Sequence, residues 1–200
     1  IIVPPALKEN WSETVDKFRL DNVKIVTNGS LHKVIDPAKY DLIIVDEAHG
    51  FRSDNSDKYD ELQKICKSPC INTGLLRSSQ KRIMLLSATP LNNRPEDLLN
   101  QLLLFQNSQS CTIDGIPNLK AFFTPFIMDY RKLMKERETR NVTDDVDKLY
   151  DDIRKKVIDK VTVRRTRNNI LNDDDYRNDI KEQSIVFPNI LPPVPLEYKM

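Results

Sequence analysis

Residues 40–52 read YDLIIVDEAHGFR, and no other stretch limits the fold as tightly. From Leu42 to Val45 every position is apolar. A strand with one wet face would alternate, so this run reads as a strand buried on both faces in the middle of a parallel sheet. It stops at two acids, Asp46 and Glu47, followed by Ala48 and His49. Carboxylates at the carboxyl end of such a strand stand in the crevice where open α/β sheets bind ligands. Adjacent acids there lose solvation and repel each other, so a positive charge is expected beside them. A magnesium ion meets that need, because it takes oxygen ligands and lets phosphate oxygens complete its shell. For the DEAH tetrapeptide alone, a solvated strand-to-helix turn with two chance acids is the competing reading.

A second stretch narrows the choice. Residues 81–105 read KRIMLLSATPLNNRPEDLLNQLLLF. Residues 83–86 form another fully apolar strand, which ends in Ser87, Ala88 and Thr89 and then Pro90. Pro95 opens a helix, with Glu96 and Asp97 in the first turn, where the helix dipole favours acids. Leu98, Leu99, Leu102 and Leu103 give it an apolar face. Two buried strands thus bring polar tips to the same edge of one sheet. DEAH followed downstream by SAT resembles motifs II and III of superfamily 2 helicases and translocases. The continuation TPLNNRPEDLLNQLLLF resembles the Snf2 family, in a bacterial-type branch, more closely than the DEAD-box enzymes.

The rest of the chain extends the pattern. Residues 1–3 form a short strand that runs into Pro4 and Pro5, and Leu7, Trp11, Val15 and Phe18 then recur at helical spacing. The lone tryptophan reads as a core residue of that helix. The segment VPPALKENWSETVDKF resembles motif Ia of the Snf2 family, which lies near the tracked DNA strand. Lys8 at this helix start suits phosphate, and a solvated lysine is the alternative. Residues 23–27 read as the next strand, followed by the turn signal Asn28, Gly29 and Ser30. That turn resembles the family's motif Ib or Ic, a further backbone contact. His32 has no partner spaced to make it a ligand and reads as a surface residue. After the DEAH strand, Tyr59, Leu62, Ile65 and Cys66 share one face of a helix. The alternation of strands and helices marks a doubly wound parallel sheet. The expected fold is therefore α/β. The resemblance makes it a RecA-like (P-loop NTPase) three-layer lobe with a helical protrusion near the C-terminus.

The organisation expected is a lobe core over residues 1–106, a helical protrusion over 107–182, and a last strand and linker over 183–200. Within the protrusion, AFFTPFIMDY is an aromatic patch interrupted by Pro125. Val146, Leu149, Ile153, Val157 and Val161 mark a long amphipathic helix. Arg154, Lys155, Lys156, Lys160, Arg164, Arg165 and Arg167 gather basic charge at its end. VTVRRTRNNI resembles the family's arginine pair after the protrusion, which implies that Arg164 and Arg165 either border the second lobe or approach DNA phosphate. A solvated basic helix end is the alternative. Residues 183–187 read as a strand, and ILPPVP as a stiff linker toward the second lobe.

The totals bound the partners. A length of 200 residues suits one core, or one lobe of a larger enzyme. The net charge of +1 gives no global signal for nucleic acid, so a basic surface must be local. No apolar run approaches a membrane span, and IIVPPAL lacks the basic start of a signal peptide. Cys66, Cys70 and Cys111 are poorly spaced for zinc and read as reduced thiols inside a cell. A chain that opens mid-strand without a methionine reads as a fragment.

The resemblance implies a mechanism. Asp46 holds Mg2+, Glu47 assists it and deprotonates the water that attacks the γ-phosphate of ATP, and His49 couples the nucleotide to Ser87, Ala88 and Thr89. Lys8, Asn28, Ser30, Arg164 and Arg165 contact DNA, most simply duplex DNA. The departure is the phosphate cradle: the four glycines, at 29, 50, 74 and 115, never fall in G-x-x-x-x-G-K-[ST]. Motif I is expected upstream and a second RecA-like lobe downstream. The implied parent is a bacterial cytoplasmic, DNA-dependent ATPase that translocates on duplex DNA, with a restriction-modification partner conceivable. A strand-separating helicase and a non-catalytic DNA-binding scaffold with a relic motor fold remain as alternatives.

Overall fold

The computed structural model describes residues 1–71, 80–88, 94–164 and 166–188. Thr89, Arg165, Gly74 and the ILPPVP segment lie outside these. The chain divides into two compact units, Ile1–Lys160 and Val161–Met200.

In the first unit four short strands make one sheet. They are β1 (Ile2–Val3), β2 (Val26–Thr27), β3 (Leu42–Val45) and β4 (Arg82–Leu85), in the order β2-β1-β3-β4. Every pairing is parallel. Helix α1 (Lys8–Lys17) follows β1, α2 (Asp57–Lys67) joins β3 to β4, and α3 (Pro95–Leu103) follows β4. From β1 the chain steps outward to β2, and from β3 it steps the opposite way to β4. Right-handed crossovers in opposite directions set α1 and α2 on opposite faces. The reversal falls between β1 and β3, which makes that junction the switch point where such sheets open a crevice. The α/β class and the parallel sheet expected from the sequence are therefore present.

The strands are less enclosed than their apolar runs suggest. In β3, Ile43 and Val45 are buried, but Leu42 is 46% exposed. The second motif strand runs over 82–85 rather than 83–86. It alternates exposed and half-buried residues, with Met84 48% exposed. The reason is topological: among the described residues β4 pairs only with β3. An edge strand with few neighbours leaves alternate side chains open whatever their polarity. The strand expected over 23–27 keeps only its last two residues in the ladder, and Val23 lies exposed.

Two apolar clusters stabilise this unit. The first packs Ile2, Ile43 and Val45 of the sheet against Tyr59, Leu62 and Ile65 of α2. All four residues assigned to the inner face of α2 are buried. Cys66 lies among them as a free thiol, and burial pushes its pKa up to about 12. It is a packing residue and a poor nucleophile. The second cluster joins Leu98, Leu99 and Leu102 of α3 to helices α4 (Leu119–Glu136) and α5 (Thr143–Ile153). Leu119 and Phe123 contribute from α4, and Leu149 and Ile153 from α5.

Both later helices depart from expectation. The segment read as an interrupted aromatic patch is one continuous helix with Pro125 inside it. Phe122, Phe123, Phe126 and Tyr130 all reach the second cluster. Burial of several aromatics outweighs the roughly 3 kcal/mol that an interior proline costs. The long amphipathic helix exists, but it passes through a π-helical stretch at Arg154–Ile158 before its last α turn, α6 (Asp159–Val161). Val157 and Ile158 of that stretch are both buried.

The second unit carries α7 (Arg167–Asn172) and α8 (Asp174–Glu182). Thr166 and Asn169 cap α7 reciprocally, and Asp173 caps α8. Residues 183–188, part of which reads as a strand, enter no ladder.

Pro125 is exposed. Pro125→Ala restores a backbone donor without removing core contacts. It should stabilise the protein by about 1–3 kcal/mol, read as a higher midpoint in urea; an unchanged or lower midpoint would contradict this account of α4.

Candidate functional site

Because the strands are parallel, the segments after all four emerge at one rim. Lys8 follows β1 by way of a proline turn, Asn28 and Ser30 follow β2, Asp46, Glu47 and His49 follow β3, and Ser87 and Ala88 follow β4. The rim is ordered by continuation of the sheet hydrogen bonds beyond its strands. Asp46 N donates to Ile2 O at 2.8 Å and Asn28 N donates to Val3 O at 2.9 Å. Leu86 N donates to Val45 O at 2.8 Å, and Ala48 N donates back to Leu86 O at 2.9 Å. The acid-bearing turn and the hydroxyl-bearing turn are thereby tied directly to each other.

Each oxygen of Asp46 accepts one bond. Oδ1 takes the backbone N–H of Glu47 at 2.8 Å, and Oδ2 takes the indole N–H of Trp11 at 2.8 Å. Trp11 is thus no ordinary core residue. It is half-buried, and its polar edge faces the carboxylate. The apolar stripe of α1 contains no buried residue, and Phe18 is 66% exposed. Glu47 adopts the left-handed conformation, with φ 50° and ψ 46°. For a residue with a Cβ this costs roughly 1–2 kcal/mol. It is offset locally by the Glu47 N–H bond to Asp46 and by Gly50 N, which donates to Glu47 O at 2.9 Å. The twist directs the Glu47 carboxylate toward His49, whose Nδ1 lies 2.9 Å from Glu47 Oε2. That contact has the distance of an ion pair but lacks hydrogen-bond alignment, since the same Nδ1 is buried without an aligned partner.

The turn is also held from α3. Gln101, the buried polar residue among the described positions of the core, donates from Nε2 to Ala48 O at 3.3 Å. Its neighbour Asn100 donates from Nδ2 to Arg52 O at 2.8 Å and accepts from the Tyr59 hydroxyl at its carbonyl, at 2.7 Å. Burial pushes the Tyr59 pKa up to about 12, so the hydroxyl remains a donor. Sequence reasoning missed Trp11, Asn100 and Gln101 as site residues. For the last two a signal was present: adjacent amides interrupting the apolar run of LLNQLLL.

Other expected residues lie outside the first unit or outside the described residues. Arg164 is exposed and belongs to the second unit. Thr89 and Arg165 fall outside the described residues. Part of the basic run at the end of the long helix has partners nearby. Arg154 pairs with Asp151 at 2.6 Å, Lys156 with Asp152 at 3.7 Å, and Lys160 donates to Asp114 O at 2.7 Å.

Among the described residues no cluster of three or more metal-ligating side chains forms. Two carboxylates at a strand end, each with lone pairs to spare, suit an ion that takes most of its ligands from water and phosphate, as Mg2+ does. No helix of the described residues is long and apolar enough to cross a membrane.

Comparison with known proteins agrees with this geometry. Residues 6–98 match the DEAD/DEAH box helicase family model. Over 125 residues the chain is 27% identical to a Bacillus subtilis (strain 168) protein called "Uncharacterized ATP-dependent helicase YqhH". That similarity covers 53% of this chain and 20% of the relative, so the chain spans about a fifth of the relative's length. These matches support a helicase superfamily, and the parallel sheet with flanking helices is consistent with a RecA-like helicase domain.

Gln101→Leu keeps the volume and removes the bond to Ala48. It should speed amide hydrogen exchange across residues 48–52, by about five- to tenfold for the loss of one hydrogen bond, and leave β1 and β3 protected. Uniformly faster exchange through the sheet would assign Gln101 to global stability instead.

Proposed function

We propose that this chain is part of the first motor lobe of a Snf2-type, DNA-dependent ATPase that translocates on duplex DNA. The observation that carries the reading is the Ala48–Leu86 hydrogen bond, which joins the DEAH turn to the SAT turn at the carboxyl rim of the sheet, beside the switch point. A solvated turn with chance acids needs no such link.

In this reading Asp46 holds Mg2+, in large part through water, and the ion when bound neutralises phosphate charge. Glu47 orients the attacking water and accepts its proton; its side chain is 42% exposed and so reachable. His49 sits against Glu47 and limits where that carboxylate can point. The Ala48–Leu86 bond transmits any shift of the acid turn to Ser87 and Ala88, and onward to Thr89. Lys8, Asn28 and Ser30 share the rim with the acids, where a cation and small polar groups at loop ends suit a phosphate backbone. Arg164 and Arg165 are proposed as further phosphate or inter-lobe contacts.

The Bacillus relative's name favours a second reading, strand separation rather than duplex tracking. A strand-displacement assay beside a triplex-displacement assay on the parent protein separates the two. A relic scaffold would lack turnover altogether.

Two outcomes test the ATPase reading. In the parent protein, Glu47→Gln should lower DNA-stimulated ATP turnover by at least about a hundredfold while nucleotide binding persists; near-normal turnover would remove Glu47 from the chemistry. The 200 residues contain no G-x-x-x-x-G-K-[ST] cradle, so the chain by itself should hydrolyse almost no ATP. Robust, Glu47-dependent hydrolysis by the chain alone would mean that phosphate is held some other way.

A further inference from the structure

We infer that Trp11 is a positioning residue for Asp46: its indole N–H fixes the metal-facing carboxylate and ties helix α1 to it. This rests on the ATPase reading for the role of Asp46, but the bond itself does not.

The argument begins with the donor. An indole nitrogen can donate but cannot accept, and when partly buried it needs an acceptor. Trp11 lies on α1, the helix that follows β1, whereas Asp46 ends β3. Those two strands are neighbours at the point where strand order reverses. The 2.8 Å bond from Trp11 Nε1 to Asp46 Oδ2 therefore spans the mouth of the crevice between residues 35 positions apart. The acceptor is a carboxylate, so the bond is charge-assisted and stronger than a neutral one.

Its effect on orientation follows from the second bond. The Glu47 backbone N–H holds Oδ1 at 2.8 Å. Alone, that bond restrains one oxygen and leaves the carboxylate free to turn about it. With Oδ2 held by the indole, both oxygens are fixed and the free lone pairs point in set directions. A ring is a rigid support for this purpose, since only two side-chain torsions separate it from the helix backbone. The Asp46 backbone N–H meanwhile bonds Ile2 O at 2.8 Å, so the frame that carries the carboxylate is also anchored.

There is a consequence for communication. Lys8, proposed to meet phosphate, begins the same helix, one turn before Trp11. A displacement of α1 cannot occur without stretching the indole bond or turning the carboxylate. Nucleic acid at the helix start and a cation at Asp46 would then influence one another through a single side chain, and by linkage the influence is reciprocal.

The protein supplies its own probe, because Trp11 is the lone tryptophan of the 200 residues. With 15N-tryptophan, the indole resonance of the chain reports this bond directly. Asp46→Ala should move the resonance and speed its solvent exchange by about tenfold, the scale of one charged hydrogen bond. An indole signal that ignores Asp46→Ala would overturn the inference. A second measurement guards against a misfolded variant. Benzothienylalanine at position 11 keeps the shape of the ring and lacks the N–H. In the parent protein it should raise the Mg2+ concentration for half-maximal ATP turnover by about tenfold, with little change at saturating Mg2+. Wild-type Mg2+ dependence in that variant would likewise overturn the inference. Loss of the ATPase reading through Glu47→Gln would leave the resonance result standing, so the two ideas can fail separately.

Discussion

The pairing of β3 with β4 continues past the last residue of either strand. Val45 and Leu85 are the final matched pair, yet Leu86 N still bonds Val45 O and Ala48 N returns to Leu86 O. Those two bonds decide where everything chemical sits. Without them the acids and the Ser87 hydroxyl would be neighbours only on average, each on its own loop. With them, a short turn is clamped at both ends and can hold an unfavourable backbone at Glu47. Hydrogen bonds in a partly dry place are individually worth little more than about 1 kcal/mol; here their value lies in what they fix.

The helix after β4 extends the same constraint. One face of α3 is apolar and belongs to the cluster formed with α4 and α5. The opposite side presents Asn100 and Gln101 to the turn at residues 48–52. The second cluster is therefore more than an appended helical mass. Its packing sets the depth of α3, and α3 in turn sets the position of the carbonyls of Ala48 and Arg52. Tyr59, buried under α3 with its proton retained, ties α2 into the same arrangement.

Much of this was legible in the residues. Apolar runs that end in DEAH and SAT disclosed two adjacent parallel strands, and the spacing of Tyr59, Leu62, Ile65 and Cys66 disclosed the helix between them. Periodicity reports what a residue prefers and says nothing of how many neighbours are at hand. For that reason the run at 83–86 reads as buried, although among the described residues β4 pairs on one side only. Pro125 misled in the opposite direction, because a local penalty was overridden by aromatic burial contributed from other helices. Trp11 was hidden for a different reason. A tryptophan has an apolar body and a polar edge, and helical spacing locates the body only. Its acceptor lies 35 residues away, and no local pattern encodes that distance.

The left-handed backbone at Glu47 sets two preferences at odds. By conformation alone the position would suit glycine, asparagine or aspartate, whose short or absent side chains tolerate positive φ. Aspartate would even preserve the charge, but its carboxylate would stop one methylene short of the space beside His49. The longer acid accepts the poorer backbone in exchange for reach. Drift at this site would accordingly be governed by a conflict between skeletal ease and side-arm length, and a replacement that relaxes the chain would withdraw its carboxylate from the crevice.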